Sequence, residues 1–304
     1  MPSLERSWMF AHLAVPGGGC PDARAAELVG TVVAGLVAAV RAVDPRSRWF
    51  YDRLGSPTGP RLRVGLHASA AALDAARRRL GDAPTDLAWD PYAVRDAARG
   101  GPLAQAGSEL ALTLLGGDVP WLTGMELPLS VAHLRHLCDL MPVADRPAFL
   151  FLHWQDRSRS LTAAHRRELA AQADTGAEKI VLAAGDLPST GAVAVAWRSY
   201  LDRVTEVMGE DHATTPRGFL LAEHAQLTHE RWGIDAAVDS LAAMALRLAM
   251  LRDGPPPTAP PAPPAPTAAS APTAASAVSV PSAASAPPVP PAPSAASTRR
   301  SATV

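Results

Sequence analysis

The chain has 304 residues, 48% hydrophobic and 19% charged, with a formal net charge of −1. That is a globular balance with chain enough for one large domain or two small ones, and it lacks the concentrated basic surface of a general nucleic-acid binder. Two cysteines, Cys20 and Cys138, make neither a disulfide framework nor a cysteine-based metal site. No basic region leads into an apolar run, and no 18 uncharged apolar residues stand together, so the chain reads as cytoplasmic, without signal peptide or membrane span.

In chain order, "SWMFAHLAV" alternates and predicts a strand. "PDARAAELVGTVVAGLVAAVRAV" predicts a helix opened by Pro21 and Asp22, with Leu28, Val32, Leu36, Val40 and Val43 as its apolar stripe. "RWFYDRL", a Gly/Pro turn over residues 55–60 and "RLRVGLHA" predict a hairpin, with strands 47–54 and 60–67 antiparallel. Its second strand carries Arg61, Arg63, Gly65 and His67 at period two, one polar face suited to a peptide. Ser69 is a capping residue for the helix "AAALDAARRRL", and "TDLAWDPY" is a short strand. Helices follow in "PLAQAGSELALTLL" and "LPLSVAHLRHLCDLM", across residues 146–172, and in the second half of 178–208. Thr215-Pro216 starts one late helix and Asp235 caps the last, whose face is Ile234, Val238, Leu241, Ala245 and Leu248. Strands come early and helices late. The fold class is therefore α+β, a mostly antiparallel or mixed sheet packed by several helices in a single domain.

The chain divides once, giving a folded domain 1–252 and a tail 253–304. The tail holds half of the 30 prolines and no aromatic residue. Such a segment buries too little apolar surface to offset its ordering entropy, so a disordered, partly polyproline-II tail is expected. It reads either as a tether to partner enzymes or as a neutral extension.

Motifs for common chemistries are missing. "HLRHLC" sets His133 and His136 three apart, where a helix can present both to one metal, yet no third ligand follows at zinc spacing. The Gly runs at 17–19 and 116–117 lack a phosphate-loop setting, and there is no nucleophile elbow. No metal and no cofactor is expected.

Three segments in order carry a resemblance: "WFYDRLGSPTGPRLRVGLHA", "DPYAVRDAARGGPLAQAGSE" and "AQLTHERWGIDAAVDSLAAM". Together they resemble the C-terminal domain of lantibiotic dehydratases, the SpaB C-terminal family, over roughly residues 6–250. That resemblance implies action on a leader-bearing precursor peptide, alongside other enzymes of one biosynthetic cluster. The family's elimination enzymes remove glutamate from glutamylated Ser or Thr, with arginines holding the glutamate and a His assisting proton transfer. Here Arg63 matches the first strand arginine and Gly65 stands at the second. Tyr92 matches, Val94 replaces an Arg and Arg95 a Glu. Glu109 matches the downstream Glu, and Arg231 and Gly233 match the final R-x-G. Gln226 stands where the elimination His belongs, and Gln is neither acid nor base near neutral pH. His224 and His229 fit that position only with a slipped register.

These departures resemble a second branch of the family, the thiopeptide pyridine synthases. They join two dehydroalanines of one azole-bearing peptide by a formal aza-[4+2] cycloaddition, followed by loss of water and leader. The expected catalytic residues are Gln226, Trp232, Glu109 and His67. The expected substrate-binding residues are Arg63, Arg61, Tyr92, Trp49 and Arg231. Arg63, His67, Glu109 and Gln226 are expected to line one cavity. As a residue type, Trp232 reads more readily as a core anchor than as a donor. Two other readings stand beside this one: a glutamate-elimination component of a split dehydratase, and a non-catalytic leader-binding scaffold.

Overall fold

The early alternating segments form a four-stranded antiparallel sheet. β1 is Arg6–Ala14, β2 Arg48–Leu54, β3 Arg61–Ser69 and β4 Thr85–Leu87, in the spatial order β2-β3-β1-β4. A computed structural model describes residues 5–15, 21–55, 59–81, 85–87, 101–116, 124–185, 191–209 and 216–253. The Pro-rich tail and Tyr92 lie outside the described residues. The hairpin forms as expected, with Arg48 opposite His67 and Leu54 opposite Arg61. One sheet face is core: Met9, Ala11 and Leu13 of β1, Trp49 and Tyr51 of β2, and Leu62, Val64 and Leu66 of β3 are all buried. The period of two places Arg61, Arg63, Gly65 and His67 together on the opposite face.

The helix expected over residues 21–43 forms with an interruption. α1 (Pro21–Leu28) passes through a π-helical turn at Val29–Val33 into α2 (Ala34–Val43). A wider turn shifts the helical phase. The buried stripe is accordingly Val29, Val33, Leu36, Val37 and Val40, while Leu28 and Val32 are only partly buried and Val43 is exposed. By length and composition, Ala23–Val43 is apolar enough to cross a membrane; here that stripe is part of the hydrophobic core. α3 (Ala70–Leu80) packs on α2 through Ala72, Leu73, Ala76 and Leu80. Ser69 occupies its cap position without a side-chain capping bond, and its N–H instead donates to Asp44 Oδ2 at 3.0 Å.

Helices make the rest: α4 Pro102–Leu115, α5 Glu126–Asp139, α6 Arg146–Arg157, α7 Ala163–Ala184, α8 Gly191–Gly209, α9 Arg217–Trp232 and α10 Ala236–Asp253. The helix expected across 146–172 breaks at a 3₁₀ turn, Ser158–Ser160, and restarts where Thr162 Oγ1 accepts from His165 N–H at 3.2 Å. Asp235 caps α10 as expected, its Oδ1 accepting from Ala237 N–H at 2.7 Å. α10 is packed by α5, α6 and α7. Early strands and late helices share one hydrophobic core, so the α+β assignment holds.

Candidate functional site

α4 lies along the open edge of β2. Tyr51 N–H donates to Ser108 Oγ at 3.1 Å, a bond a neighbouring strand would otherwise supply. An adjoining face of α4 carries Gln105, Glu109 and Thr113, each four residues apart. That face, the start of β2, Arg41 of α2, and Ser199, Tyr200 and Arg203 of α8 enclose a cavity of about 670 Å³. Four arginines line it: Arg41, Arg46, Arg48 and Arg203. Glu109 is its only acidic lining residue among those described, paired with Arg41 and accepting from Gln105 Nε2 at 3.0 Å. Arg203 pairs with Glu206, outside the lining. The cavity is therefore cationic overall. Two further lining residues, Ser47 and Trp49, have their hydroxyl and indole N–H buried without a hydrogen-bond partner among the described residues.

Behind Tyr200 the core is polar. Its hydroxyl lies 2.6 Å from His133 Nε2 and 2.8 Å from His224 Nε2. His133 Nδ1 meets His229 Nε2 at 2.8 Å, and His229 Nδ1 meets Asp239 Oδ1 at 2.8 Å. The same oxygen accepts from His153 Nε2 at 2.9 Å and Ser130 Oγ at 3.1 Å. Burial, with Arg231 and the His229 imidazole, pushes His224 down to about 3. Burial also takes His133 well below the ordinary range and lowers His229, against the pull of Asp239. Burial alone would raise the Asp239 pKa, yet His153 and His229 hold it well below the carboxylate range. His153, His229 and Asp239 are close enough to hold a cation. Both ring nitrogens are already spent on Asp239 Oδ1, and Arg157 Nε lies 2.8 Å from Oδ2, so the cluster reads as a hydrogen-bond hub.

The expected site residues separate. Glu109 and Trp49 line the large cavity. Gln226 lines a second cavity of about 340 Å³, with His153, Glu223 and Phe219, and its Nε2 donates to Glu230 at 3.0 Å. Glu109 and Gln226 thus line different cavities, and Arg63 and His67 line neither of these two. The reason is Gly65. A Cβ there would sit 2.7 Å from Phe50 Cε1 and 3.1 Å from Phe10 Cε1. Those rings occupy the space read from sequence as room for a peptide. The face is an aromatic layer of Trp8, Phe10 and Phe50, with the His67 ring tilted against Trp8 at 5.0 Å between centroids. Burial and the nearby Arg48 and Arg6 lower the His67 pKa.

Arg63 and Arg231 grip one carboxylate, donating to Asp52 Oδ2 at 2.8 Å and Oδ1 at 2.9 Å. Arg231 is buried, and its Nε also donates to the Tyr51 carbonyl at 2.7 Å, so it clamps β2. Arg61 sits half-buried at the start of β3. Trp232 is 2% exposed and wedged beside His133, Trp197 and His229, a core anchor. His133 faces the hydrogen-bond chain, whereas His136 accepts from Trp197 Nε1 at 3.0 Å, so the pair does not converge on one point. Burial pushes the Cys138 thiol up to about 12, far from a nucleophile. Sequence reading passed over Arg41, Arg46, Arg48, Arg203 and Tyr200. The i, i+4 spacing of Gln105, Glu109 and Thr113 was the one local trace of that wall.

No family model matches the chain, and no curated protein matches it in sequence. Solved structures do. The tRNA-dependent lantibiotic dehydratase MibB from Microbispora sp. 107891 superposes with a TM-score of 0.52 at 19% identity, over 81% of this chain. This chain spans only 28% of MibB. TsrL superposes with a TM-score of 0.50 at 14% identity, over 82% of this chain and 95% of TsrL. The fold is shared with part of a lantibiotic dehydratase. It is also shared with nearly the whole of TsrL.

Proposed function

We propose that the chain is a peptide-modifying enzyme of ribosomal natural-product maturation, acting in the cytoplasm on a leader-bearing precursor beside other enzymes of its cluster. Its reaction is the formal aza-[4+2] cycloaddition of two dehydroalanines, giving a pyridine macrocycle with loss of leader. The fold shared with MibB and TsrL agrees with the first statement. The second rests chiefly on the cavity of about 670 Å³, whose lining is rich in hydrogen-bonding groups and poor in bases. The barrier to an intramolecular cycloaddition is largely entropic, and positioning can supply up to about 7–11 kcal/mol of it. The guanidinium donors of the lining bias one amide toward its imidic-acid form. An elimination needs a base at the α-proton, and Glu109 is held by Arg41 and Gln105.

A second reading, glutamate elimination, is favoured by one observation: four guanidiniums suit a glutamyl carboxylate. One experiment separates the two. Purified protein is given either a leader-bearing peptide with azoles and two dehydroalanines or the same leader bearing a glutamylated Ser, and products are followed by mass spectrometry. Macrocycle and free leader from the first peptide, without added metal, nucleotide or glutamyl donor, are expected. Dehydroalanine from the second would overturn the cyclase reading. Glu109→Gln should slow cyclisation, because it unpairs Arg41 and resets the charge of the cavity wall. Gln226→Ala should change it little, its cavity being the other one.

A further inference from the structure

We infer that Tyr200 and the chain His133–His229–Asp239 behind it form a proton relay serving the arginine-lined cavity. The inference rests on the reading that the peptide reacts in that cavity. The polarity of the chain follows from its end. Asp239 is ionised and can only accept, so His229 donates from Nδ1 and keeps an open lone pair on Nε2. His133 must then donate from Nδ1 and accept at Nε2, where the Tyr200 hydroxyl is the donor. The Tyr200 oxygen in turn accepts from His224 Nε2. From Tyr200 through His133 to His229, each proton points away from the cavity wall toward the carboxylate.

Apolar side chains of similar volume would fill this space without the desolvation that buried imidazoles cost. A chain of aligned donors ending in a carboxylate has a use when a proton must be held briefly. The amide-to-imidic-acid step is such a case, since it breaks an N–H bond and forms an O–H bond with no net proton lost. Tyr200 takes the amide proton as it passes its own to His133 Nε2. His133 passes its Nδ1 proton to His229 Nε2, leaving an imidazolium against the Asp239 carboxylate. The reverse sequence delivers one proton to the substrate oxygen, and all four side chains return to their starting forms. Tyr200 belongs to the cavity wall, whereas His133, His229 and Asp239 act through it.

Two measurements test the relay. Nitrogen-15 NMR of the wild-type protein at neutral pH should show His133 and His229 protonated at Nδ1 and His224 at Nε2. A His133 protonated at Nε2 would break the chain and overturn the inference. Tyr200→Phe should lower kcat for cyclisation by about 10²–10⁴-fold, with KM nearly unchanged, and abolish a solvent deuterium isotope effect present in the wild type. A folded Tyr200→Phe within about threefold of wild-type kcat would also overturn it. If the wild type makes no macrocycle, the cyclase reading fails, and the tautomers judge the relay alone.

Discussion

Gly65 decides what the polar strand is for. An arginine or any other side chain at this position would collide with Phe50 and Phe10. His67 therefore packs against an aromatic floor and Arg63 is paired with Asp52. Gly65→Ala should lower stability by about 1–3 kcal/mol, the usual cost of overpacking, read as a lower urea midpoint. Unchanged stability would mean that the rings yield, and the groove reading of this face would return. Gly233 is a second glycine with a definite task. Its φ of +81° ends α9, and a Cβ there would lie 2.6 Å from Arg53 Nη1.

Between elements, the edge of β2 is the joint that makes sheet and helices one body. Ser108 of α4 takes the Tyr51 N–H, Arg231 of α9 takes the Tyr51 carbonyl, and the Tyr51 hydroxyl donates to the Arg231 carbonyl at 2.7 Å. Ser108→Ala leaves a buried N–H unpaired and should cost about 1–3 kcal/mol. Hydrogen exchange at the Tyr51 amide should quicken in that variant, and protection equal to wild type would refute the joint. The Asp235 cap is a milder test of the same scale. Asp235→Ala should lower stability by about 1 kcal/mol and leave the Tyr51 amide unaffected.

At the scale of the whole molecule, the buried imidazoles make folding sensitive to acid. His133, His224 and His229 all have native pKa values below the ordinary 6.5, so below that pH the unfolded chain binds protons that the native state refuses. Stability is then highest above 6.5 and falls as pH drops, continuing toward about 3 for His224. Each such histidine contributes a slope of about 1.4 kcal/mol per pH unit. Urea midpoints measured at stepped pH should fall steeply on acidification, and His224→Phe, if folded, should flatten the fall by one histidine. A flat profile would mean that these imidazoles are hydrated in solution.

The hairpin, the antiparallel pairing, the Asp235 cap and the α+β class were legible in the sequence because each rests on local periodicity or on one residue's hydrogen bond. The π turn at Val29–Val33 was not, since an apolar segment such as "VGTVVAGLV" supports a stripe in either phase. The division of site residues between two cavities belongs to tertiary structure alone. Alternation says that Arg63 and His67 share a face with Gly65; only the approach of Phe10 and Phe50 from two different strands closes that face. The arginine-lined cavity collects side chains from α2, β2, α4 and α8, more than 150 residues apart from Arg41 to Arg203, and no spacing rule spans such a distance. The histidine chain is similar. His133 was read against His136, three residues away, whereas its partners are His229 and Tyr200. Packing chose them, because a buried imidazole pairs with whichever polar group the neighbouring helices bring within reach.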